Sequence, residues 1–195
     1  SIAANDLDGD GKIDLVTSNS NASSVSVFRN SSSGVGNIDF SFPSDYSTGP
    51  IPRSVSIGDF DGDNKPDLAV TSQSNLVSIL ANTSSGGNLS FEDRINFATG
   101  ITPWFVTIND LNGDGKPDLA TANEVGSSIS VLRNSSNGAG NLNFSSPVDF
   151  IGANGMVAVT SGDFDNDGKP DLVSALFNQD VISVFRNTIA TATGT

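Results

Sequence analysis

The chain has 195 residues, with 9 Lys and Arg against 22 Asp and Glu, a formal charge of −13, and neither Cys nor His. That composition excludes disulfide frameworks, Cys/His zinc sites, and thiol or imidazole catalysis. No Lys/Arg stripe with interleaved aromatics suggests nucleic acid, and no apolar run reaches the roughly 20 residues that cross a bilayer.

In chain order, residues 1–5 read as the end of a strand running into the acidic phrase DLDGDGKID, Asp6 to Asp14, and then an apolar pair, Leu15-Val16. Residues 24–34 (SVSVFRNSSSG) alternate like a strand and end in turn formers, and residues 36–49 (GNIDFSFPSDYSTG) follow. The second unit repeats this more legibly. Residues 53–58 place Val55 and Ile57 on one face of a strand, and the acidic phrase returns at Asp59 to Asp67. Residues 68–71 are a second strand, 77–80 a third, and Leu89 through Phe97 a fourth, more irregular one. The phrase appears again at Asp110 to Asp118 and at Asp163 to Asp171, with VSILANTSSGG, SISVLRNSSNG and VISVFRNT continuing the third-strand pattern. No segment carries apolar residues at helical spacing.

The first aspartates of the four phrases are 53, 51 and 53 residues apart. A period of about 50 residues marks an array, propeller or solenoid of stacked supersecondary units. Four short strands per unit describe a propeller blade. The fold expected is therefore all-β, a β-propeller-type array of four units of about 52 residues. It would be four-bladed, part of a larger propeller, or completed by another chain. Residues 1–195 form one repeat domain, with units at about 1–53, 54–104, 105–156 and 157–195, the last incomplete. No signal peptide opens the sequence, as expected of a mature, trimmed or partial chain.

The acidic phrase reads D-x-[DN]-x-D-[GN]-K-x-D and holds 15 of the 22 acidic residues. Carboxylates at alternate positions repel one another, and a hard divalent cation resolves this, since calcium takes six to eight oxygens. Four such ions would offset eight of the 13 net negative charges. An EF-hand reading fails, because it needs a Glu at position 12 and a following helix. Position 12 here is Thr17, Val70, Thr121 and Ser174, and strands follow.

GDFDGDNKPDLAV (58–70) and GDFDNDGKPDLV (162–173) resemble the FG-GAP/VCBS-type repeats of integrin α-subunit propellers and secreted bacterial proteins. The resemblance implies that the loop joins the first two strands of a blade. It implies side-chain ligands from positions 1, 3, 5 and 9 and a backbone carbonyl from position 7. Carried over, the four Ca²⁺ sites are Asp6, Asp8, Asp10, Lys12 and Asp14; Asp59, Asp61, Asp63, Lys65 and Asp67; Asp110, Asn112, Asp114, Lys116 and Asp118; and Asp163, Asp165, Asp167, Lys169 and Asp171. Position 6 needs a sharp turn and is Gly11, Gly115, Gly168 and, in site two, Asn64. Asn112 removes a charge, so site three should be the weakest. Integrin-like propellers usually have seven blades, whereas four phrases are present here.

The remaining carboxylates are scattered and no base is evident for Ser or Thr, so no enzyme is expected. A ligand face opposite the calcium loops would use Arg53, Trp104 and Met156, each four residues after a glycine, together with Tyr46; inter-blade packing is the other reading of the same residues. The implied role is an extracellular module for adhesion or recognition of a protein or glycan, since weak calcium sites fill where calcium is millimolar. The alternatives are a protomer of a cell-surface filament or sheath self-associating through terminal strands, and an accessory domain of a secreted enzyme. Asn21, Asn30, Asn82, Asn88, Asn134 and Asn143 all stand in N-x-[ST] and are conditional glycosylation sites.

Overall fold

The computed structural model describes residues 1–177 and 179–189. Among these there is no helix, and so none long and apolar enough to cross a membrane. Blade one holds β1 (Ile2–Asn5), β2 (Asp14–Asn19), β3 (Ser24–Phe28) and β4 (Ser44–Ser47). Blade two holds β5 (Pro52–Gly58), β6 (Asp67–Ser72), β7 (Leu76–Leu80) and β8 (Ile95–Ala98). Blade three holds β9 (Pro103–Asn109), β10 (Asp118–Asn123), β11 (Ser128–Leu132) and β12 (Val148–Ile151). Among the described residues blade four shows β13 (Met156–Gly162), β14 (Asp171–Leu176) and β15 (Ile182–Phe185).

Each sheet is an antiparallel meander in strand order, so every connection is local. The first strand of each unit begins a little earlier than the sequence suggests, so the unit edges at 53/54, 104/105 and 156/157 fall just inside β5, β9 and β13. The irregular fourth strand resolves into a bridge, Asn82 to Phe91, followed by β8. Residues 190–195, where a fourth strand of the last blade would fall, lie outside the described residues.

Period-2 alternation sends successive side chains to opposite faces, and each face packs on a different neighbour. Blade two turns Val55, Leu68, Val70 and Leu80 toward Leu7, Val16, Val25 and Val27 of blade one. Its other face turns Ala69, Val77 and Ile79 toward Val106, Leu119 and Leu132 of blade three. A third core joins Leu111, Ala120, Ala122 and Ile129 to Met156, Val159 and Leu172. All three cores lie between blades, so a single blade cannot bury its own apolar faces. At about 1.5–3 kcal/mol per buried aliphatic side chain, stacking stabilises the molecule.

The first strands adjoin in sequence, β1 on β5, β5 on β9 and β9 on β13. No contact of comparable extent joins β13 back to β1 among the described residues. The described residues therefore do not close into a four-bladed ring.

Candidate metal loops and the opposite edge

The four acidic phrases form four loops of similar backbone course, each joining the first and second strands of its blade. Position 6 has left-handed backbone in all four, at Gly11, Asn64, Gly115 and Gly168, with φ of 65° at Asn64. Position 4 does too, at Gly9, Gly62, Gly113 and Asn166, a second constraint the sequence reading missed. These two turns coil the chain so that its own N–H groups hold the carboxylates. Asp6 Oδ1 accepts from the N–H groups of Gly9 and Asp10 at 2.9 and 3.2 Å, and Oδ2 from that of Gly11 at 2.9 Å. Asp59 and Asp110 repeat all three bonds, and Asp163 repeats two of them. Position 3 accepts from the N–H of position 5, and position 5 from the N–H of Lys12, Lys65, Lys116 or Lys169.

Position 9 is different in kind. Asp14, Asp67, Asp118 and Asp171 are at most 2% exposed, an unusual state for a carboxylate. One oxygen of each accepts from the N–H of position 2 (Leu7, Phe60, Leu111, Phe164). The other accepts from the N–H of Asn30, Asn82, Asn134 or Asn187, just past the third strand. Burial pushes the Asp67 carboxyl up to about 7 and that of Asp118 to about 6, against the lowering effect of their N–H donors. Asp14 is raised for the same reason.

Carboxylate oxygens of Asp6, Asp8 and Asp10 come within 4.8 Å of one another, as do those of Asp59, Asp61 and Asp67 and those of Asp163, Asp165 and Asp171. The third loop has Asn112 in place of one acid, and its amide donates to Asp114. Every donor is a hard oxygen, held by backbone and crowded against like charge, and that chemistry fits a calcium ion. The lysine side chains contribute little: Lys12 and Lys65 reach Asp10 and Asp63 only at 3.9 and 3.6 Å in the open.

Arginine forks on two of the loops went unread in the sequence. Arg29 donates to Asp8 and Asp10 at 2.5 and 2.7 Å, and Arg186 to Asp165 and Asp167 at 2.5 and 3.2 Å. Blade two has Ala81 at the equivalent place, which leaves its loop without that cation.

The asparagines beside these arginines were also missed. Asn82 Nδ2 donates to the Leu7 carbonyl of blade one and the Pro66 carbonyl of its own blade, at 2.8 and 2.9 Å. Asn134 does the same with Phe60 and Pro117, and Asn187 with Leu111 and Pro170. The signal was visible as the recurrent Asn in FRNSS, LANTS, LRNSS and FRNT, read only as a turn former and glycan acceptor. Asn82 and Asn134 are buried with their amides in use, so as glycan acceptors they are ruled out by the fold. Asn21, Asn88 and Asn143 are exposed.

At the opposite ends of the first strands, the Arg53 guanidinium carbon lies 4.4 Å over the Trp104 ring, and Trp104 Nε1 donates to Glu124 at 2.7 Å. Both residues are half-buried, and Arg53 Nε is buried without a hydrogen-bond partner. The other two candidates stand apart from this stack. Met156 is fully buried in the core between blades three and four. Tyr46 sits on β4, edge-on to Phe91 with centroids 5.0 Å apart. Their positions are those of packing residues.

A sequence model described as FG-GAP-like repeat matches residues 6–70, 59–121 and 110–174, each match running from one acidic loop into the strand after the next. A comparison with curated protein sequences returned no match. With three overlapping matches spanning most of its length, on blades whose loops share one geometry, the chain belongs to the FG-GAP-like repeat family.

Proposed function

We propose that this chain is an extracellular, calcium-stabilised module for adhesion or recognition, without catalytic activity. The observation that carries the reading is the recurrent buried aspartate at position 9, set among further oxygens and held by backbone donors. Calcium supplies the positive charge that lets these carboxylates stay ionised while buried, so its binding free energy becomes folding free energy. The residues holding it are the four sets named above: side chains at positions 1, 3, 5 and 9 and the carbonyl of Lys12, Lys65, Lys116 or Lys169. Such loops are rigid joints between strands, which supports a structural metal over a catalytic one.

Recognition then falls to the opposite edge, where Arg53, Trp104 and Glu124 offer a cation, an aromatic ring and an anion in one stack. A protein or carbohydrate ligand suits that combination. Calcium titration of the metal-free chain by calorimetry should give four ions per chain; none bound would remove the metal reading. Trp104 is the single Trp, so its fluorescence reports directly on ligands from a glycan or protein panel. Trp104→Ala should abolish binding while leaving the melt within a few degrees.

A further inference from the structure

Loops one and two share a backbone course but differ in what neutralises them. In both, the carboxylate at position 3 is buried, Asp8 and Asp61 each being 6% exposed. One oxygen is held alike: Asp8 Oδ1 and Asp61 Oδ1 accept from the N–H of position 5, each at 3.1 Å. The other oxygen is held differently. Asp8 Oδ2 accepts from Arg29 Nε at 2.5 Å, whereas Asp61 Oδ2 accepts from the Gly140 N–H at 2.6 Å. Position 5 shows the same contrast. Asp10 Oδ2 accepts from Arg29 Nη2 at 2.7 Å, while the cation nearest Asp63 among the described residues is Lys65, at 3.6 Å with its side chain 40% exposed.

The next blade along explains the exchange. After its third strand, an arm of that blade reaches back over the earlier loop, bringing Gly87 over loop one and Gly140 over loop two. Over loop one the guanidinium fills the space between arm and carboxylate, where a Cβ on Gly87 would meet Arg29 Nη2 at 3.1 Å. Over loop two Ala81 stands in the place of Arg29, and the arm's own N–H closes on Asp61. Each of these two loops has a later blade of this chain over it, and the difference between them comes down to Arg29 against Ala81. A peptide N–H solvates a buried carboxylate but leaves its charge in place, and a buried charge without a counter-charge is costly. Loop two therefore takes its counter-charge from solution. Loop four repeats loop one, with Arg186 forked on Asp165 and Asp167. In loop three Asn112 removes the anion at position 3 and donates to Asp114 instead.

We propose that Arg29 and Arg186 are resident cations that hold loops one and four in the absence of metal and weaken calcium binding there, so that loop two depends on calcium most and fills first. A fixed positive charge a few ångströms from the ion repels it, which lowers affinity about tenfold or more at a partly buried site. This order of filling rests on the calcium reading above and adds to it the residues that set each loop's dependence on the ion.

Hydrogen exchange of the chain at stepped calcium concentrations, read by mass on fragments covering residues 6–14 and 59–67, tests it. After EGTA the amides of Gly9, Asp10 and Gly11, which donate to Asp6, should stay protected. Those of Gly62, Asp63 and Asn64, which donate to Asp59, should exchange. As calcium returns, exchange should slow in loop two at about tenfold lower concentration than in loop one. Arg29→Gln should strip loop one of its protection in EGTA and bring its calcium midpoint down to that of loop two. Arg186→Gln should do the same to residues 163–171, so the result does not hang on the folding of one variant. Equal protection of loops one and two in the EGTA-treated parent overturns the proposal. So does a loop-one midpoint that Arg29→Gln leaves unchanged or raises while loop two still responds to calcium, a result that spares the calcium reading. If no loop responds to calcium, that reading and this inference fall together.

Discussion

Asn82 and Leu7 are 75 residues apart in sequence, yet the amide of one donates to the carbonyl of the other at 2.8 Å. The same asparagine gives its backbone N–H to Asp67, so one residue ties a metal loop, a strand end and the neighbouring blade. Its Oδ1 also accepts from the Ser84 N–H. Asn82→Ala would leave the buried Leu7 carbonyl, the half-buried Pro66 carbonyl and the Ser84 N–H unpaired, a loss of about 2–4 kcal/mol. Urea denaturation should show this loss for Asn82→Ala and Asn134→Ala. Asn30→Ala should lose less, because its amide bonds only the Ile13 carbonyl of its own blade among the described residues.

The metal loops should differ in strength in a way that one substitution tests. Site three carries Asn112 where the other sites carry Asp, and affinity in such loops rises with ligand charge. Asn112→Asp should tighten that site about five- to tenfold, measured by calcium titration. If the weakest site in the parent chain is unaltered by the change, it lies elsewhere.

Metal-free protein should show an inverted pH profile. The folded-state carboxyls of Asp67 and Asp118 are raised to about 7 and 6 from an ordinary 3.8. Between those values the folded chain binds more protons than the unfolded one, so stability falls as pH rises. The contribution is fully present below pH 3.8 and is lost as pH climbs through 6 and 7. Calcium-stripped protein should therefore melt higher at pH 5 than at pH 8, by an amount on the order of a few kcal/mol. With calcium saturating, the trend should reverse, because protons compete with the ion for the same oxygens. Melting curves at the two pH values, with and without metal, check both signs.

Much of this molecule is legible in its sequence because repetition makes local rules unambiguous. The acidic phrase fixes the loop, and alternation through Val55 and Ile57, or Val77 and Ile79, fixes the strands. What stayed hidden depends on which blade a residue faces. Val77 and Ile182 look alike in sequence, yet one is buried and the other open, because among the described residues only the first has a later blade packed over it. Asn82 reads as a turn residue until its partner, 75 positions away, is known. Met156 aligns with Arg53 and Trp104 but packs inward: it is an unbranched apolar side chain that gains from burial, and its methyl fills the space a Cβ on Gly152 would need, at 2.0 Å. Position 4 was missed because Gly in an acidic phrase already seemed explained by position 6.

The Arg53–Trp104 stack is open to a direct check. A guanidinium over an indole at this distance contributes about 0.5–2 kcal/mol and quenches or shifts the indole emission. Arg53→Ala should move the emission of the single Trp and lower the melt slightly, with calcium binding unaltered. An unchanged spectrum would mean the stack does not persist in solution.

The central claim is that calcium holds the blades' loops, and thermal melting with and without the ion tests it most directly. At a calcium concentration about ten times the dissociation constant each site adds about 1.4 kcal/mol, so four sites add about 5–6 kcal/mol. At roughly 2–4 °C per kcal/mol for a chain of this size, stripping the metal should lower the midpoint by about 10–20 °C. The same midpoint in millimolar calcium and after its complete removal would contradict the account.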